Sequence, residues 1–214
     1  MSFFVDVSGR TAQSSSDSWE PVIIPRAEID AEAARLGALV APPGGRRESL
    51  IVHPRAASPG NGLAPGIRVT LSVLLPGEHT EPIRHNSTQV SFCIAGGGTA
   101  VVGDKKIGFT RYDVWNHPAW TTYSYTNDTD TPQVRLTYSN AALLDQLGVH
   151  LVEQNPAEET TTAEQATDPS KVNPYGTVQL TDDGARLMPY ELLISPPDVE
   201  ADALHWPWQQ GCSA

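Results

Sequence analysis

Cysteine is almost missing from this 214-residue chain: only Cys93 and Cys212 are present, without the spacing of a metal site. Two cysteines are too few for a disulfide framework. Basic residues are also scarce, with 14 Lys and Arg against 25 Asp and Glu and a formal net charge of −11. Nucleic acids and anionic membranes both call for a basic surface, so neither is an expected partner. No apolar run approaches the roughly 18 residues of a membrane-spanning helix. Met1 to Gly9 lacks a basic start and contains Asp6, so it does not read as a signal peptide, and a cytoplasmic location is the expectation.

The 39% of hydrophobic residues are enough for a core, and the length suits one domain with extensions. Residues 1–64 read as an N-terminal arm and helix. The helix runs from Ala27 to Val40, with Ile29, Ala33, Leu36 and Leu39 on one face and Pro42-Pro43-Gly44-Gly45 as its stop. From Ile67 the period changes to two. Ile67 to Leu74 alternates apolar and polar residues, and Val90 to Ala95 is a second strand. A hairpin over Thr99–Val102 and Lys105–Phe109 turns at Gly103-Asp104. Asp113 to Asn116, Thr121 to Thr126 and Gln133 to Ser139 complete a set of short strands typical of a sandwich or barrel over residues 65–140. Residues 141–214 hold a short helix (Asn140 to Leu147), an acidic, Thr-rich linker (Pro156 to Pro174) and an apolar segment ending at Leu204, Trp206 and Trp208.

Two spaced patterns lie inside the strand-rich region. Gly77, Ile83, Arg84, His85, Gln89 and Gly96 fall on the spacing G-x5-H-x-H-x3-E-x6-G, and Tyr112, Pro118, Tyr123 and Asn127 fall on G-x5-P-x4-H-x3-N. With both in order, the chain resembles the cupin superfamily. With Leu74-Leu75-Pro76-Gly77-Glu78, Gly96-Gly97-Gly98 and Trp120 added, it resembles the gentisate 1,2-dioxygenase group, which includes ring-cleaving enzymes for 1-hydroxy-2-naphthoate and salicylate. The resemblance is strong over residues 65–145 and weak beyond, as for the first half of a two-barrel protein. It implies an all-β, jelly-roll-like cupin barrel with short flanking helices and terminal extensions, an Fe(II) held by three histidines, aromatic-ring cleavage with O2, and an oligomer. That oligomer would be of this chain itself or with another cupin.

The ligand positions depart from the family pattern. Only His85 keeps its histidine, Ile83 and Tyr123 stand at the other two positions, and Gln89 replaces the glutamate. Isoleucine donates no electron pair, and phenolate favours Fe(III), so the expected barrel is metal-free and without cofactor, with Fe(II) as the alternative. A substituted site would combine His85 with His79, Glu81 or Tyr123. His85 is the candidate general acid or base, and Tyr123 the donor to a substrate oxygen. The competing roles are a satisfied buried imidazole and an aromatic filler. Gln89, Trp120, Arg135 and Tyr138 are the candidate substrate-binding residues, with Arg135 suited to a carboxylate. Arg84 points away from His85, His117 reads as a residue at the barrel mouth, Cys93 is buried in a strand, and His53 and His150 have no role.

Three functions fit these observations. The expected one is a small-molecule enzyme, with metal-independent acid/base chemistry on an aromatic or enolisable organic acid. The second is an Fe(II)-dependent ring-cleaving dioxygenase with substituted ligands. The third is a non-catalytic ligand-binding or partner cupin.

Overall fold

A computed structural model describes residues 19–157, 179–180, 186–187 and 203–208. Its strands are β1 (Arg47–Ile51), β2 (Arg68–Leu74), β3 (Ile83–His85), β4 (Gln89–Ala95), β5 (Gly97–Val102), β6 (Lys105–Thr110), β7 (Val114–His117), β8 (Tyr123–Thr126), β9 (Gln133–Ser139), β10 (Val152–Gln154), β11 (Gln179–Leu180), β12 (Arg186–Leu187) and β13 (His205–Trp206). The helices are α1 (Arg26–Ala38) and α2 (Ala141–Gln146). One sheet has the order β1-β2-β9-β4-β7-β13, the other β10-β3-β8-β5-β6, and β11 pairs with β12 alone. All the pairings are antiparallel.

The alternation in β2, β4 and β9 has a consequence that the sequence pattern hid. Leu71 and Val73 of β2, Ile94 of β4 and Val134 of β9 pack outward with Leu36 of α1, joined by Ile29, Ala33, Phe92 and Leu136. The opposite side of the same strands presents Thr70, Ser72, Gln89, Arg135, Thr137 and Ser139 to the space between the sheets. A strand with a two-residue period must send these sets to opposite faces. The helix therefore covers the apolar face, while the barrel interior at this end is polar. Each large side chain sealed in this way contributes about 1.5–3 kcal/mol. Helix α1 starts after Pro25 and ends where Leu39 turns extended, ahead of Pro42 and Pro43.

A second apolar cluster fills the other part of the interior. Leu74, Cys93, Ala100, Val102, Ile107, Phe109, Trp115, Tyr123 and Tyr125 meet there, with Phe109 stacked on Trp115 at 4.1 Å between ring centres. Tyr123 and Tyr125 also border the polar space, so they form the boundary between the two regions.

The turns of the two spaced patterns hold the frame. Gly77 and Gly96 have φ of 77° and 72°, the left-handed region that glycine enters freely. Tyr112, at the motif's glycine position, keeps the same geometry with φ of 77°. Asn127 is fully buried, and its amide nitrogen donates to the carbonyls of Leu74 and Thr131, both at 2.8 Å. Its side-chain oxygen accepts from Thr129.

The sheets extend beyond residues 65–140. β1 pairs along β2, and Arg47 of β1 forms a two-pronged ion pair with Glu78 at 2.5 and 2.8 Å. β10 pairs with β3, and β13 pairs with β7. The linker expected over Pro156 to Pro174 lies, apart from Pro156 and Ala157, outside the described residues, as does most of the C-terminal segment. Among the described residues no helix is long and apolar enough to cross a membrane.

Candidate functional site

The two sheets enclose a cavity of about 190 Å³ whose walls include Arg46, Glu48, Arg68, His85, Gln89, Tyr123, Arg135 and His150. β3 and β8 meet in register at Ile83 and Tyr123, which sets His85 beside Tyr123. His85 Nε2 lies 3.1 Å from the Tyr123 hydroxyl, and its Nδ1 lies 2.9 Å from the Ser87 carbonyl oxygen and 2.8 Å from Ser87 Oγ. A carbonyl only accepts, so Nδ1 carries the ring proton, and Nε2 accepts from the Tyr123 hydroxyl. Burial lowers the His85 pKa below the ordinary histidine value, with the nearby His150 and Arg46 acting in the same direction against the Ser87 and Gln89 hydrogen bonds. Burial pushes Tyr123 up to about 12. The pair is thus a neutral imidazole and a neutral phenol near pH 7.

The contacts continue outward. Ser87 Oγ is 3.4 Å from His150 Nε2, His150 Nδ1 is 3.0 Å from Asp145 Oδ1, and Asp145 is ion-paired with Arg68. A second chain lies deeper. His117 is fully buried, and its Nε2 is 2.7 Å from the Tyr125 hydroxyl. That hydroxyl is 3.1 Å from Ser91 Oγ, which is 3.1 Å from Thr137 Oγ1. Burial holds the His117 pKa well below the usual value, and its Nδ1 has no hydrogen-bond partner among the described residues.

Arg135 is the most unbalanced group in the cavity. It is 2% exposed, and its guanidinium carbon sits 3.3 Å from the centre of the Tyr125 ring. Its Nε and Nη1 find no hydrogen-bond partner among the described residues. Burial lowers its pKa from the usual arginine value, yet a guanidinium stays charged in proteins. Glu48 contributes a favourable field from the same cavity, and its carboxylate accepts from Ser72 at 3.1 Å. Arg46 lies 5.3 Å from the Tyr123 ring centre and donates to the Glu81 carbonyl at 2.6 Å. Three arginines and one glutamate thus border the space, giving it a positive balance.

The fold brings His85, Tyr123, Gln89 and Arg135 together as expected for one cavity. It separates Trp120 and Tyr138 from them. Tyr138 is 41% exposed because it alternates to the opposite face from Arg135 and Thr137. Trp120 sits on a turn with φ of 63°, half-exposed beneath the Arg84 guanidinium. Arg84 itself points away from His85, to an ion pair with Glu153. His117 is a correction: it is a core residue and not one at the barrel mouth, because Trp115 and His117 share the inward face of β7. His150, left without a role, borders the cavity. Ser87, Arg46, Arg68 and Tyr125 went unremarked. Only Tyr125 had a local signal, since it alternates to the same face as Tyr123.

The substituted metal sets do not assemble. His79 and Glu81 are exposed, and Glu81 accepts from Asn155 at 2.9 Å, outside the cavity. The two buried imidazoles, His85 and His117, each aim Nε2 at a different tyrosine hydroxyl. No group of three or more His, Cys, Asp or Glu side chains converges among the described residues. The donor set present therefore does not fit an iron held by three histidines.

No family model matches the chain. It is 38% identical over 63 residues to a 1-hydroxy-2-naphthoate 1,2-dioxygenase of Nocardioides sp. (strain KP7), which covers 29% of this chain and 16% of that protein. It is 31% identical over 74 residues to a 5-nitrosalicylic acid 1,2-dioxygenase of Bradyrhizobium sp., covering 34% of this chain and 36% of that protein. Among solved structures, a mutant salicylate 1,2-dioxygenase of Pseudoaminobacter salicylatoxidans superposes with a TM-score of 0.54 at 26% identity, over 61% of this chain and 38% of that one. The chain thus spans well under half the length of these proteins. The relatives correct one expectation, that of a barrel without a cofactor. Both curated relatives are dioxygenases, and activating O2 requires a metal or another redox centre. The chain has a cupin β-barrel fold and resembles the gentisate-type and salicylate 1,2-dioxygenases.

Proposed function

We propose that this barrel is the aromatic-acid-binding unit of a ring-cleaving dioxygenase-like protein. Its ligand is a small hydroxylated aromatic carboxylate. The carrying observation is Arg135, a buried guanidinium whose Nε and Nη1 have no hydrogen-bond partner among the described residues, with Glu48 acting on it only through its field. An unpaired buried charge costs several kcal/mol, and a bound carboxylate removes that cost with a two-pronged hydrogen bond. Arg46 adds to the same field, and the Tyr123–His85 pair supplies a hydroxyl and an imidazole toward a ligand hydroxyl. A cavity of about 150 Å³ holds benzene, so about 190 Å³ suits a single substituted ring.

Support for the ligand class comes from the named relatives, whose reactions are on 1-hydroxy-2-naphthoate and 5-nitrosalicylate. Iron, which ring cleavage by O2 calls for, would need ligands other than His85 and His117, whose Nε2 atoms are engaged by tyrosine hydroxyls. Such ligands would come from outside the described residues, from a longer chain or a second subunit.

Titration calorimetry with salicylate and with phenol tests the reading. Binding of salicylate, with phenol weaker by about 2 kcal/mol or more, is the expected result for a desolvated carboxylate–guanidinium pair. Equal binding of both, or of neither, overturns it. Metal analysis after anaerobic Fe(II) loading, followed by oxygen uptake with salicylate, then tests the oxidative step.

A further inference from the structure

The contacts around His85 form a directed series, in which every donor meets an acceptor. The Tyr123 hydroxyl donates to His85 Nε2 at 3.1 Å. His85 Nδ1–H is shared between the Ser87 carbonyl at 2.9 Å and Ser87 Oγ at 2.8 Å. The Ser87 hydroxyl is then free to donate to His150 Nε2 at 3.4 Å, and His150 Nδ1–H donates to Asp145 at 3.0 Å. Reversing any one bond would leave two donors or two acceptors facing each other.

We propose that Tyr123, His85, Ser87 and His150 form a proton relay that ionises the phenolic hydroxyl of the bound aromatic acid and delivers its proton to His150 beside Asp145. The proposal rests on the aromatic-acid reading above. The ligand's O–H bond breaks, and Tyr123 takes that proton as its own passes to His85 Nε2. His85 gives its Nδ1 proton to Ser87, which passes its hydroxyl proton to His150 Nε2. The products are a bound phenolate and an imidazolium at His150, with no electron transferred and no net charge created, and His85 Nδ1 then faces the Ser87 carbonyl as a second acceptor until the proton returns.

The surrounding charges set the direction. His85 faces Arg46 from the loop before β1 and, across the barrel, His117 and Tyr123, with Glu48 elsewhere on the cavity wall, so a proton resting on it meets Arg46 and bonds to no carboxylate among the described residues. His150 faces His85 on one side and the Asp145 carboxylate on the other, with Arg68 beyond Asp145. Arg135 and Arg46 favour the phenolate left behind. A Ser-His-Asp order also brings nucleophilic catalysis to mind, but Ser87 is 1% exposed and its oxygen sits between two imidazoles.

5-Nitrosalicylate is the probe, because its phenolate absorbs at longer wavelength than its phenol. Calorimetry on the full chain at pH 7 counts bound ligand, and the difference spectrum reports how much of it is ionised. The expected result is a phenolate band in the wild-type complex whose intensity per bound ligand falls by about tenfold in both His150→Gln and Ser87→Ala. Circular dichroism confirms that both variants are folded, and agreement between them guards against damage in either. A bound but un-ionised ligand in the wild type, or an equal band in all three proteins, overturns the relay and leaves the binding reading standing. No binding by the wild type overturns that reading and the relay with it.

Discussion

The Arg135 guanidinium carbon lies over the Tyr125 ring, 3.3 Å from its centre, with Nε and Nη1 unbonded among the described residues. The ring face offsets part of the cost of burying the charge, by roughly 2 kcal/mol when water is excluded. It does not replace an anion. Arg135→Met removes the charge with little change in volume. The expected result is a protein as stable as wild type or more so, by about 1–4 kcal/mol in urea unfolding, which has lost salicylate binding. Marked destabilisation would show that the barrel already satisfies Arg135 without a ligand.

Two histidines predict how stability depends on pH. Burial lowers the pKa of His85 and, more strongly, of His117. The unfolded chain then binds more protons than the folded one below about pH 6.5. Stability is therefore complete above that pH and falls as pH drops toward the depressed folded values. Each histidine contributes a slope of up to about 1.4 kcal/mol per pH unit. Urea unfolding from pH 7.5 to 5 measures the slope, and His85→Asn should reduce it. A slope unchanged by that substitution would show that His85 is not buried as a neutral ring.

Asn127 ties the end of β2 to the 127–131 turn through four side-chain hydrogen bonds. Asn127→Ala leaves the buried carbonyl of Leu74 without this donor and frees the Thr129 turn. A loss of about 3 kcal/mol or more in unfolding free energy is expected, since each orphaned buried group costs about 1–3 kcal/mol. A loss within 1 kcal/mol of zero would mean that water replaces the amide at little cost.

Leu36 is the one fully buried side chain of α1. Leu36→Ala should cost about 2–5 kcal/mol, the range for a truncated core leucine. Because α1 packs on the outer face, the cavity and salicylate affinity should persist in the folded fraction. Loss of affinity in fully folded protein would contradict the separation of the two faces.

The sequence showed the fold more clearly than the site, for physical reasons. Helix α1 and strands β2, β4 to β9 announce themselves by period and by turn residues, and the spacing from Gly77 to Asn127 survives because backbone geometry enforces it. Tyr112 illustrates this: the residue changed while φ stayed positive. β3 and β10, of three residues each, are too short to show a period, and the partners of β1 and β10 are distant in sequence. His85, Tyr123 and Arg135 were legible as a group by position. Tyr138 was misplaced through parity, since one step along a strand reverses its face. Ser87 and His150 lie 63 positions apart and meet only through the tertiary fold. No local pattern marks such a pair.

The placement of α1 bears on how this barrel tolerates change. Of the strands that line the cavity, β2, β4 and β9 are anchored from outside, by leucine, isoleucine and valine pressed against a helix. An inward position on these strands, such as Gln89, can therefore change without dismantling the scaffold. Chemistry and architecture occupy opposite sides of the same few strands, so each is free to drift while the other is kept.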